Sequence, residues 1–262
     1  MGIARMLPHL LLAAGVMTCA CAPPRPGVGV EPSGRGALPA ALSWSDDFEA
    51  SRLDERKWVH YARAPEPGDS TAFDPAQAWL FGGDLVIRAD RGPPGGCQPY
   101  VADAIFTFGR FAFTYGYVEA RIKFPRGRGL TPTFFLYPEA QTANGYHEID
   151  IAEFRGQSPF MVHQQIAFGP GSDRIDWKTG SFYYRSPVDL TLAFHTYGVH
   201  WQPGRLTWYV DGEPTYTQTV GVPSEPMYIV LTFVVGSSYV GPPDRSTPFP
   251  SDLLVDYVRL YQ

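Results

Sequence analysis

At 262 residues, 44% of them hydrophobic, the chain is long enough for one large domain with a sizeable buried core. Its formal net charge of −5 leaves no basic field for phosphate recognition, which sets nucleic-acid binding aside. Aromatic residues at 15%, with 27 glycines and 26 prolines, argue against a helical bundle and for an all-β domain rich in turns.

At the N-terminus Arg5 supplies a positive start, and residues 6–16 form an apolar run that includes Leu7, Leu10, Leu11 and Leu12. The run is too short to span a bilayer and small residues follow it, so residues 1–21 are expected to be an export signal. Cys19 and Cys21 also resemble a lipoprotein processing site. Simple secretion and a membrane tether through a lipidated Cys19 or Cys21 both stay open, and either puts the protein outside the cytoplasm. Cys97 is then the thiol certain to remain. No internal disulfide is expected, and its setting in PPGGC at 93–97 reads as a passive turn. Residues 22–40 are rich in Pro and Gly and nearly free of large apolar groups, the composition of a flexible linker. A single domain is expected over residues 41–262.

Within that span, strand-like runs alternate with turn signals. Gly82-Gly83 precedes a strand at 84–88. Residues 111–124 place Tyr115, Tyr117, Glu119 and Arg121 on one face and Gly116, Val118, Ala120 and Ile122 on the other. Residues 205–210 end at Asp211-Gly212, a strong hairpin signal. Residues 227–235 and 253–261 are rich in β-branched and aromatic side chains. No long stretch repeats every 3.6 residues. The expected fold class is all-β, two packed antiparallel sheets forming a sandwich or jelly roll.

The segment HEIDIAEF at 147–154 is the richest in chemistry. Alternation in a strand points Glu148 and Asp150 one way and Ile149 and Ile151 the other. Strict alternation would bury Glu153. One extra residue, a β-bulge near Ile151 and Ala152, returns it to the acidic face. Three neighbouring acids raise one another's pKa, which a purely structural strand rarely tolerates. A glycosidase uses such a set: one carboxylate stays ionised as nucleophile, another stays protonated as general acid, and a middle acid couples to both. Backbone positions ~13 Å apart, at ~3.3 Å per residue, with side chains reaching inward, bring the outer pair near the ~5–5.5 Å of retaining enzymes. A solvated edge strand with scattered acids is the bland alternative.

Taken together, the segments resemble glycoside hydrolase family 16, the laminarinase, lichenase and agarase group. EIDIAE at 148–153 resembles that family's signature in its bulged form. WSDDF at 44–48, YGYVEARIK at 115–123, FHTYGVHWQP at 194–203, WYVDG at 208–212 and VDYVRLY at 255–261 follow in the family's order. The resemblance implies a curved β-sandwich jelly roll with an open substrate cleft. It implies Glu148 as nucleophile, Glu153 as acid/base and Asp150 as the assisting carboxylate of an endo-acting, retaining enzyme. The expected substrate is a β-1,3- or mixed β-1,3-1,4-glucan. A galactan hydrolase, a transglycosylase of the same fold, or a carbohydrate-binding jelly roll without turnover stays open, because fold alone does not fix activity.

The resemblance further implies substrate contacts at Tyr117, Glu119 and Arg121, which match cleft positions, against a surface salt-bridge row as the alternative. His163 and Gln165 stand where relatives present polar groups to sugar hydroxyls, and a core role for His163 is the alternative. Trp177 could stack on a sugar ring, whereas Trp201 and Trp208 are expected in the core. Catalysis is expected to need no cofactor. A structural calcium away from the cleft is implied, with Asp256 as side-chain ligand and backbone oxygens near Gly83 as partners, or else Asp256 is a simple cap. The expected partner is a polysaccharide, and the chain is expected to act as a monomer. Thr131, where relatives often have Trp, Ala104, where Arg is frequent, and His200, where an acidic residue is common, depart from the family pattern and leave the sugar specificity open.

Overall fold

The computed structural model describes residues 38–61, 70–140, 146–169 and 178–262. The expected signal, nearly all of the linker, and Cys19 and Cys21 lie outside them. In chain order the strands are β1 (Leu42–Asp46), β2 (Val59–His60), β3 (Thr71–Phe73), β4 (Ala78–Phe81), β5 (Asp84–Arg91), β6 (Tyr100–Ala102), β7 (Ala104–Phe106), β8 (Gly116–Lys123) and β9 (Leu130–Pro138). They continue with β10 (Tyr146–Phe154), β11 (Met161–Gly169), β12 (Lys178–Arg185), β13 (His195–Gln202), β14 (Arg205–Val210), β15 (Glu213–Gln218), β16 (Met227–Val235) and β17 (Ser251–Tyr261). One short 3₁₀ turn, Pro75–Gln77, is capped by the Asp74 side chain.

These strands make two sheets. One runs β15-β14-β13-β8-β17-β5-β6-β3, with β1 paired to β17 and β4 to β5, and the other runs β12-β11-β10-β9-β16-β7-β2. The expected all-β sandwich is therefore present. Its pairs are antiparallel except β3 with β6, which is parallel. That exception follows from the β4–β5 hairpin lying between the two strands, since a parallel pair needs such an intervening connection.

Turn chemistry set by glycine closes the hairpins. Asp211 and Gly212 both have positive φ, 51° and 77°, and join Val210 directly to Glu213. Gly82 and Gly83, at 66° and 86°, do the same between Phe81 and Asp84. Two consecutive positive-φ residues twist a two-residue loop in the sense the strands require.

The sheets meet over one large core. Val118, Ala120 and Ile122 of β8 and Val199 and Trp201 of β13 face Ile149, Ile151 and Phe154 of β10 and Phe134 and Leu136 of β9. Phe124 stacks on Phe154 with ring centroids 4.6 Å apart. Trp201 and Trp208 are fully buried, as expected. Cys97 is exposed and free.

The expected bulge is present in β10. Against β11, Asp150 is opposite Gln165 but Glu153 is opposite His163; against β9, Asp150 is opposite Phe135 and Ala152 opposite Phe134. One residue is extra at Ile151, so Ile151 and Ala152 both turn into the core. The indole of Trp208 pins this point, donating across the sandwich from Nε1 to the Asp150 carbonyl at 2.8 Å. Trp208→Phe removes this buried hydrogen bond and part of the buried volume. It is expected to cost about 1–3 kcal/mol of unfolding free energy. Denaturant melts check this, and a loss below about 0.5 kcal/mol, the size of an ordinary surface change, would show that the pin contributes little.

Candidate active site

Because Ile149, Ile151, Ala152 and Phe154 point into the core, Glu148, Asp150 and Glu153 share the opposite face of their sheet. Residues directly opposite on neighbouring strands share that face too. Ala167 is opposite Glu148, Gln165 and Phe135 are opposite Asp150, and His163 and Thr133 are opposite Glu153.

Exposure divides the trio. Asp150 and Glu153 are 2% and 7% exposed, while Glu148 is only partly buried. Gln165 donates from Nε2 to Asp150 Oδ2 at 2.5 Å. Glu153 Oε2 meets His163 Nδ1 at 2.8 Å. The same nitrogen lies 3.2 Å from the Tyr239 hydroxyl, and the imidazole stacks on Tyr183 with centroids 4.3 Å apart. Arg155 lies over both the Tyr183 and the Tyr239 rings. Burial and then the negative charge of Glu153 push the Tyr239 phenol well above its ordinary pKa, so it keeps its proton. Burial, Tyr137 and then Glu148 push the Tyr228 phenol the same way.

A second, smaller cluster covers the other flank of this face. Tyr61, Ala104, Phe106, Phe135, Tyr137, Tyr228 and Val230 are buried together, with Phe73 and Phe108 packed against them. Tyr183 on β12, by contrast, is 43% exposed. The carboxylates thus stand between an aromatic wall on β9, β16 and β7 and an accessible surface on β11 and β12. Chemically, three acids coupled on one face can hold a proton on one member while another stays charged.

The other candidates fall into two groups. His163 and Gln165 belong to this face and contact the carboxylates themselves. Tyr117, Glu119 and Arg121 do not belong to it, contrary to expectation. Their strand, β8, is in the other sheet, and its Val118, Ala120 and Ile122 fill the core. Alternation therefore turns the three toward the far outside of the sandwich. There Tyr117 and Tyr257 donate their hydroxyls to the two oxygens of Glu119 at 2.8 Å and 3.1 Å. Tyr117 also lies so close over Gly198 that a Cβ there would meet its hydroxyl at 2.6 Å. Trp177 lies outside the described residues. Of the departures, Thr131 and Ala104 are buried on the carboxylate face or its aromatic wall. His200 is buried in β13, where burial and then Arg205 hold its pKa below the ordinary value.

Asp256 occupies a bulge of β17 in the other sheet, where the register against β8 slips between Val255 and Tyr257. Its carboxylate takes Arg121 Nη1 at 2.5 Å. Burial, then the charges of Asp256 and Glu49, raise the pKa of neighbouring Asp84, with Arg121 opposing. Glu49 also closes on Gly83, where a Cβ would be 3.2 Å from its Oε1. Among the described residues no group of three or more His, Cys, Asp or Glu side chains could hold a metal ion. A cation here would have to displace Arg121 from Asp256 and take most of its ligands from backbone carbonyls.

Sequence reasoning missed Tyr183, Tyr239 and Trp208 as parts of this site. Tyr183 could have been placed by pairing residues 161–185 as a hairpin, since it is opposite His163. Tyr239 follows β16 in a loop segment with no local signal.

A family model described as "Glycosyl hydrolases family 16" matches residues 99–257, which include the carboxylate strand and Asp256. A "Beta-glucanase" of Rhodothermus marinus is 29% identical over 245 residues, covering 84% of this chain and 85% of its own. A "Keratan-sulfate endo-1,4-beta-galactosidase" of Sphingobacterium multivorum is 30% identical over 236 residues, and the match covers 84% of this chain and 55% of that one. Among solved structures, an endo-beta-1,3-glucanase from Pyrococcus furiosus superposes with a TM-score of 0.74 at 32% identity, over 84% of this chain and 94% of its own. Since Glu119 faces away from the carboxylates, Glu119→Ala is expected to cost about 1–3 kcal/mol of stability through its two phenol partners. Turnover at the carboxylate face should stay within about twofold, inside the ~0.5 kcal/mol scatter of distant changes. Paired melts and rate measurements check both halves.

Proposed function

The chain belongs to glycosyl hydrolase family 16 and is a glycoside hydrolase, and from that premise we propose that it cuts β-1,3- or mixed β-1,3-1,4-linked glucan within the chain, with retention. The observation that carries this reading is the bulge at Ile151, which gathers Glu148, Asp150 and Glu153 on one accessible face. The similar beta-glucanases and endo-1,3-beta-glucanases support the glucan assignment.

In the first step a Glu148 oxygen attacks the anomeric carbon and the glycosidic C–O bond breaks. Glu153 gives its proton to the departing oxygen, leaving a glycosyl ester on Glu148. In the second step Glu153 takes a proton from water, the water oxygen attacks the same carbon, and Glu148 leaves as a carboxylate. Two inversions give net retention. Asp150 lies between them in the strand, buried and held by Gln165.

Glu148→Ala is expected to lose at least about 10⁴-fold in glucan hydrolysis and to form an α-glycosyl azide when azide is supplied, since the missing nucleophile can then be replaced on the open face. Glu153→Ala is expected to form the β-azide. Product profiles on laminarin, lichenan, xyloglucan, agarose and carrageenan decide the polymer. Release of short products from agarose or carrageenan and none from the glucans would favour the galactan reading, which the 30% identity to the galactosidase supports. Binding without release of reducing sugar from any of them would sink the hydrolase mechanism in favour of a binding module.

The same proposal has the enzyme act outside the cytoplasm, supported by the apolar run at residues 6–16 and by Cys19 and Cys21 as alternative points of lipidation, and as a monomer. It also includes one structural calcium at Asp256, supported by the negative charges of Asp256 and Glu49 that act on Asp84 and by Glu49 lying against Gly83; the ion would displace Arg121 from Asp256. Calcium is expected to raise the melting temperature by several degrees through mass action on the native state, and chelation to reverse the gain. Asp256→Ala should abolish the response, and a wild-type melting temperature indifferent to calcium and chelator would remove the ion from the account.

A further inference from the structure

Glu153 has two oxygens, and a general acid works only if its proton sits on the one aimed at the leaving group. His163 decides which. We infer that His163 is a positioning residue for the acid/base: its neutral Nδ1–H tautomer holds Glu153 Oε2, so the exchanging proton is carried on Oε1. This rests on the reading of Glu153 as the acid/base.

The contacts of the imidazole fix its protonation. Nδ1 is its contact to a carboxylate, 2.8 Å from Oε2. Nε2 is buried and has no protein partner among the described residues. An N–H or a positive charge at Nε2 would leave a donor stranded in a dry site, whereas a bare aromatic nitrogen is cheaper to strand. The proton therefore belongs on Nδ1, where it donates to Oε2. Tyr239 keeps its own proton and lies 3.2 Å from the same nitrogen. Its hydroxyl hydrogen is free to turn to the Tyr183 oxygen at 3.4 Å, which leaves the Tyr239 oxygen to receive a share of the Nδ1–H.

The ring itself is held from three sides. It is opposite Glu153 on β10 and Tyr183 on β12, and Tyr239 closes it from the loop after β16. Tyr183 stacks parallel at 4.3 Å, which fixes the ring plane and so the direction of the Nδ1–H bond. The titratable and charged groups that face the pair are Tyr183, Tyr239 and, over both phenol rings, Arg155; Asp150 precedes Glu153 on the same face.

The consequence for the two chemical steps is specific. With Oε2 occupied by Nδ1–H, a proton arriving on Glu153 goes to Oε1. In the first step the Oε1–H bond breaks and the leaving oxygen gains that proton. In the second, Oε1 removes a proton from the attacking water. His163 keeps its Nδ1 proton throughout and is never the acid. A residue that only packs against Glu153 would affect all substrates alike. One that aims the proton matters most when the leaving group needs it.

Two measurements on the full chain test this. The first is the ¹H–¹⁵N long-range correlation pattern of His163 at neutral pH, expected to show a protonated Nδ1 and a bare Nε2. An Nε2–H tautomer or an imidazolium would overturn the inference without touching the role of Glu153. The second is kcat/KM on phenyl and 2,4-dinitrophenyl β-laminaribiosides. His163→Phe is expected to lose about 10- to 100-fold on the phenyl glycoside and less than about threefold on the dinitrophenyl one, part of the range general acids supply. His163→Asn, whose amide N–H stands where Nδ1–H does, is expected to recover most of the loss, and its melting temperature serves as the folding control. Equal losses on both substrates would mean that His163 is a packing residue. A Glu153→Ala variant with no such leaving-group split would remove the acid/base reading itself, and the inference with it.

Discussion

One extra residue in β10 governs this molecule. A strand exposes every second side chain, so a segment with acids at 148, 150 and 153 cannot put all three on one face unless the count slips by one between the second and the third. The slip at Ile151 meets a constraint from the other side: both Ile151 and Ala152 then enter the core, and two consecutive inward residues fit because the second is small. Trp208 meets the remaining need. A bulge disrupts the ladder locally, and here the Asp150 carbonyl accepts from the Trp208 indole of the opposite sheet. The position of the acids is thus set by the packing of both sheets, not by β10 alone.

The three carboxylates also have to coexist. Negative charges close together raise one another's pKa, and burial raises it further. Here the more buried pair is the pair with polar partners on the adjacent strand, Gln165 for Asp150 and His163 for Glu153, while Glu148 keeps partial access to solvent. A single strand, β11, supplies both partners at alternate positions, which works only because the bulge lies between Asp150 and Glu153 and shifts the register between Gln165 and His163 to match. The geometry of the bulge and the electrostatics of the site are one device.

How much of this was legible in the sequence follows from what alternation encodes. The fold class, the Asp211-Gly212 and Gly82-Gly83 turns, the buried Trp201 and Trp208 and the bulge itself are local or compositional signals, and all are found in the structure. Alternation says which residues share a face of a strand, but not which sheet the strand joins. Tyr117, Glu119 and Arg121 do share a face, yet β8 sits between β13 and β17 in the sheet without the acids, so their expected cleft is on the wrong side of the molecule. Tyr239 and His163 are 76 positions apart, and no periodicity links them. The parallel pairing of β3 with β6 was hidden for a related reason: both strands are three residues long, too short to show a pattern.

Chemistry and specificity are consequently separable here. The acids, their β11 partners and the Trp208 pin depend on strand register and would survive changes at the ends of the strands. The face around the acids is built differently on its two flanks, from a buried aromatic wall on β9, β16 and β7 and from the exposed Tyr183 on β12. Of the departures from the family pattern, Ala104 is buried within that aromatic cluster, Thr131 is buried further along β9 opposite Val234, and His200 lies in the other sheet. The two flanks can therefore vary while the register that gathers the three acids stays fixed.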